Sequence, residues 1–80
     1  MRTIVTELCV LGEVCPMPIL KAKKALAKMA SGRHLRVVST DPHSLPDLRQ
    51  FCEQTGHVCL HQERMRSENG RLYCTRIVRK

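Results

Sequence analysis

The residues of this chain best suited to chemistry are its thiols, and one of them stands apart. In "GEVCPMPILKAKK", residues 12–24, Cys15 abuts Pro16, Pro18 follows two residues later, and a lysine-rich helical pattern begins at once. Proline suits the first helical position, because an N–H there would go unbonded and the ring already holds a helical φ. The spacing therefore predicts that Pro16 starts a helix and that Cys15 is its N-cap. A sulfur at that point faces the positive end of the helix dipole and the free first-turn N–H groups, which favour thiolate over thiol. Pro18 removes another donor, so only Met17 and Ile19 keep an N–H and the prolines add rigidity more than charge stabilisation. Lys21, Lys23 and Lys24 supply a positive field within two turns, useful for thiolate formation and for docking an anionic partner. A solvated helix face explains the same lysines, and a small buried residue before an N-terminal proline explains the cysteine equally well.

The other candidates carry less. Cys52 and Cys74 read as core fillers, and no two cysteines show the two-to-four-residue separation of common zinc ligands. His57 and His61 have the spacing of a helical metal pair, but on a strand they lie about 13 Å apart, too far to share an ion. His57, Cys59 and His61 would then project from one strand face while Val58 and Leu60 take the core. A solvated face is the reading there, and no metal is expected.

The elements that must position Cys15 follow from periodicity. Residues 3–8 alternate, with Ile4, Thr6 and Leu8 on one face, and lead through Gly12 into the cysteine loop, which predicts a first strand. From Pro16 to about Ala30, Ile19, Ala22, Leu26 and Met29 form one apolar stripe, while Lys21, Lys24 and Lys28 lie together on another side. Gly32 is placed to stop this helix. "HLRVVST", residues 34–40, reads as a second strand parallel to the first. Ser44 with Asp47 resembles a capping box for a second helix carrying Leu45, Leu48, Phe51, Cys52 and Thr55 and ending at Gly56. A third strand begins near Val58, and "ENG" at 68–70 turns it into a fourth over about 71–78. The order β-α-β-α-β-β implies two helices on one sheet face.

Composition bounds what such a chain can be. Eighty residues allow one domain, here 1–80, that buries only about 60% of the surface its unfolded chain exposes. One Phe, one Tyr and no Trp leave few rings on which bases could stack, so direct nucleic-acid binding is not expected. A formal net charge of +7 favours encounters with acidic partners. No stretch has the apolar core of a signal peptide or the roughly 18 apolar residues of a membrane span, so a soluble, cytoplasmic protein is expected, without membrane contact. Five cysteines are then reduced, and their odd number could not pair completely in any case.

The run "LCVLGEVCPMP" at 8–18, with "TDP" at 40–42, "DL" at 47–48, "FC" at 51–52, "GH" at 56–57 and the terminal "RK", resembles the TusA/SirA family of small sulfur-carrier proteins nearly throughout. The resemblance implies an α/β two-layer sandwich with a four-stranded mixed sheet. It implies a sulfurtransferase-type carrier in which Cys15 accepts sulfane sulfur as a persulfide from a protein donor, a cysteine desulfurase or rhodanese, and passes it to a protein acceptor without a metal or organic cofactor. Family members serve tRNA thiolation, molybdenum-cofactor supply and oxidation of reduced sulfur compounds. Cys9 stands where the family usually has Asp, Glu13 where it has an apolar residue and Arg49 where many members have proline. The first two lie in the active loop and bear on the choice of donor or acceptor.

Two other classes compete with the carrier. A non-catalytic basic module for RNA or an acidic protein would keep its affinity without the thiol. A redox regulator would use Cys9 as a resolving thiol against Cys15, although Cys-x-x-Cys is absent and a strand-end cysteine is often a small buried residue.

Overall fold

The computed structural model describes residues 4–14, 16–68 and 70–80. Its elements run β1 (Val5–Val10), α1 (Met17–Ala27), β2 (His34–Ser39), α2 (Ser44–Thr55), β3 (Val58–Ser67) and β4 (Gly70–Val78). The sheet order is β1-β2-β4-β3, with β1 parallel to β2 and β4 antiparallel to both of its neighbours. Both helices cover one face of this mixed sheet, so the expected two-layer sandwich and element order hold. The core between the layers is Val10, Ala22, Leu26, Leu35, Val37, Leu48, Phe51, Cys52 and Ile77.

Helix α1 forms on the predicted stripe: Ala22 and Leu26 are buried, and Ile19 and Met29 pack partly against the core. It ends earlier than predicted, with Lys28 as C-cap. Gly32, at φ +81°, is instead part of the turn into β2, where its N–H donates to the Arg79 carbonyl at 2.8 Å. Arg79 also donates from Nε to the Leu26 carbonyl at 2.8 Å, a second bond to an oxygen that accepts the Met29 N–H at 3.1 Å.

Ser44 is not the cap of α2. His43 holds that position without a side-chain bond, and the Asp41 carboxylate accepts the His43 N–H at 3.0 Å. The buried Ser44 hydroxyl has no hydrogen-bond partner among the described residues. Pro46 falls within the first helical turn, where its missing N–H costs no helical bond. Gly56 ends the helix in the left-handed region, φ 86°, as its position predicted.

The expected facing of β3 is reversed. Val58 and Leu60 are 53% and 54% exposed, while Cys59 packs against the core. A register shift between Cys59 and His61 then sets Gln62 opposite Thr75. The Gln62 amide donates to the Leu45 carbonyl at 2.6 Å and to the Thr75 hydroxyl at 3.1 Å, and its oxygen accepts from Arg49 Nη2 at 2.8 Å. Polar groups over this part of the sheet claim the inward position, and the irregularity sends His61 to the other face from Cys59. Cys74 differs from expectation too. It is buried, but Thr75 and Ile77 point to the helices, so strand alternation puts Cys74 on the opposite face. In the hairpin turn, Asn69 lies outside the described residues.

Candidate functional site

Cys15, the predicted reactive thiol, lies outside the described residues; its flanks are described. The Gly12 N–H donates to Thr40 Oγ1 at 2.8 Å, tying the loop after β1 to the end of β2. Gly12 has φ +76°, and a Cβ there would meet nothing within 4 Å, so backbone conformation rather than crowding calls for glycine. On the other side, the Met17 N–H donates to the Val14 carbonyl at 2.9 Å.

Pro16, at φ −97° and ψ 14°, is the N-cap, so the helix begins one residue later than predicted, with Pro18 in its first turn. Pro16 and Pro18 lack N–H groups and that of Met17 is spent on Val14. Among the described residues, Ile19 is the one first-turn donor left for an anion. The dipole remains, but the amide contribution is smaller than an unblocked helix start would give. Pro18 is buried, so it wedges the helix start against the core.

Lys21, Lys24 and Lys28 do lie together, lining with Thr6, Leu8, Ala25 and Met29 a groove of about 490 Å³. They are not equivalent. Lys21 Nζ bonds the Glu13 carboxylate at 2.5 Å, so its charge is locally offset, while Lys24 and Lys28 are exposed and appear in no ion pair among the described residues. The second carboxylate oxygen of Glu13 is buried without a hydrogen-bond partner among the described residues.

Periodicity missed an apolar rim. Leu11, Val14, Met17 and Leu20 are all substantially exposed, and Met17 and Leu20 line a second groove of about 520 Å³ with Lys21, Lys23, Lys24 and Ala27. Leu20 is off the core stripe, three residues after Met17, and that offset was the available signal. The surface flanking the Cys-Pro motif is therefore apolar with a lysine border.

Cys9, Cys52 and Cys59 are all held toward the protonated thiol. Cys9 is exposed, contrary to a buried strand-end role, and its Sγ lies 3.6 Å from the Glu7 carboxylate. Partial desolvation and then that carboxylate raise its pKa. Cys9 and Cys74 both pair with Val38, on opposite sides, two strand spacings or about 9.6 Å apart, beyond disulfide reach. Burial and then Cys59 push Cys52 up to about 11, and burial raises Cys59. His57 is drawn toward its neutral form by burial and by Lys80 and Arg79, and its Nδ1 accepts the Lys80 N–H at 3.1 Å.

Comparison with known proteins gives a consistent picture. The family described as Sulfurtransferase TusA matches residues 6–76. The sulfur carrier protein TusA of Allochromatium vinosum is 42% identical over 67 residues, 84% of each chain. A Neisseria meningitidis relative is 55% identical over 51 residues, 64% of this chain and 69% of its own. The crystal structure of a SirA-like protein from Desulfitobacterium hafniense superposes with a TM-score of 0.70 at 28% identity, covering 96% of this chain and 100% of that one.

Proposed function

The chain belongs to the TusA/SirA family of sulfur-carrier proteins, and from that premise we propose that it accepts sulfane sulfur as a persulfide on Cys15 and relays it to a protein acceptor. The Cys15 thiolate attacks the terminal sulfur of the donor persulfide. A new S–S bond forms, the donor's S–S bond breaks and the donor thiolate leaves, so no net oxidation occurs. The acceptor's thiolate repeats the step on Cys15. In this reading residues 1–80 form one carrier domain that works in the cytoplasm, and the acceptor belongs to tRNA thiolation, molybdenum-cofactor supply or sulfur oxidation.

The observation that carries the proposal is the exposed apolar rim of Leu11, Val14, Met17 and Leu20 beside the Cys-Pro motif. Aliphatic side chains suit a protein donor or acceptor and offer no ring on which an RNA base could stack. Lys24 and Lys28 add encounter steering toward an acidic partner. Intact-mass measurement after incubation with a cysteine desulfurase and cysteine tests this. The expected product is one sulfur atom heavier, and it is absent from Cys15→Ser. Sulfur uptake that persists in that variant overturns the assignment.

A further inference from the structure

The sheet face turned away from the helices carries a row of charge. Glu7 pairs in register with Arg36, Arg36 with Arg76, and Arg76 with His61, one rung across all four strands. Two arginines thus sit directly opposite one another on β2 and β4. Cβ atoms so related are about 4.5–5.5 Å apart, and like charges there repel. Arg36 is compensated by Glu7, Nη1 to Oε2 at 3.1 Å. Arg76 has no carboxylate partner among the described residues, and its Nε donates to the imidazole of His34, at 3.2 Å.

Beside these guanidinium groups is a cavity of about 60 Å³, lined by Arg36, His61, Glu63, Cys74 and Arg76. Its most buried wall is Cys74, held by Arg36 Nη2 at 3.6 Å and facing the Met65 sulfur at 3.5 Å. Glu63 opposes an anion, but its carboxylate lies 3.7 Å from His61 Nε2 and is half-exposed, and with Arg36 offset by Glu7 the guanidinium without a carboxylate is that of Arg76.

We propose that this cavity binds a small tetrahedral oxyanion of the sulfate or phosphate class, bridged between Arg36 and Arg76. Guanidinium forks match oxyanion geometry, and a bridging dianion gives Arg76 the anionic partner that Arg36 already has in Glu7. The space exceeds what one water needs.

Amide and arginine side-chain NMR test the site, with sodium sulfate and sodium phosphate titrated separately at constant ionic strength; the tighter of the two identifies the source. Saturable shifts are expected at Arg36, Cys74 and Arg76. Arg76→Gln weakens binding at least about tenfold, the loss of one charge-assisted contact, while Arg66→Gln in the hairpin leaves it unchanged. Glu63→Gln tightens binding severalfold, and this holds whether or not the Arg76 variant folds. Linear shifts without saturation, shifts centred on the α1 lysines, or Glu63→Gln binding no tighter than the parent overturn the proposal.

Discussion

The Lys21 ammonium of α1 is bonded to the Glu13 carboxylate of the preceding loop, so one of three grouped lysines has its charge offset. Partial exposure of both groups makes this a weak contact for stability, and Glu13→Gln is expected to cost no more than about 1 kcal/mol. Its larger consequence is a division of labour among the lysines. Changing Lys24 and Lys28 to Gln should slow sulfur transfer at low salt, with the effect shrinking as salt screens exposed charges. Lys21→Gln alone should do much less. Stopped-flow transfer at two salt concentrations checks this, and equal slowing by Lys21→Gln would place the docking charge differently.

Leu20 projects from α1 off the core stripe, so Leu20→Ser should leave stability within about 0.5 kcal/mol, as surface changes usually do. The KM for a protein persulfide donor should rise severalfold if the apolar rim is the docking surface. A small-molecule persulfide should load the variant at the parent rate, and that control separates docking from thiol reactivity.

Thiol titration separates the cysteines. Cys52 has its pKa raised from 9.0 to about 11 in the folded chain, so folding is favoured while it is protonated. That contribution is complete below about pH 9 and is lost as pH rises toward about 11. Urea midpoints should fall across this window in the parent and less steeply in Cys52→Ala. In timed alkylation at neutral pH, Cys15 should react first and Cys52 only with unfolding, while exposed Cys9, its pKa raised beside Glu7, should trail Cys15.

The elements were legible in the sequence wherever periodicity and glycine agreed. Ala22 and Leu26 fell on the stripe that is buried, and Gly56 stops α2 where it was placed. Failures came where one polar residue outweighed a pattern. Val58 and Leu60 looked like inward residues by alternation, but Gln62 had carbonyl and hydroxyl partners inside, and a register shift supplied the facing it needs. At Ser44 a capping pattern lost to Asp41, which reaches the His43 N–H from outside the helix. Around the thiol, the Cys-Pro-x-Pro run and the lysine grouping could be read directly. The Glu13–Lys21 pair could not, because it depends on how the loop returns past α1.

The last strand in the sequence is an interior strand of the sheet: β4 lies between β2 and β3, and just after it Arg79 caps the carbonyl of Leu26 on α1. During synthesis, β1, α1 and β2 leave the ribosome with one side of β2 unpaired and the end of α1 not yet held by Arg79. The β1–β2 pair can form early, but neither β2 nor β3 gains its partner across the middle of the sheet until β4 has been made, so closure of the sheet should be late. The pairing left waiting is non-local, which slows closure. An emerging chain therefore spends its exposed interval presenting the β2 edge, the surface on which a chaperone would act or an aggregate would start.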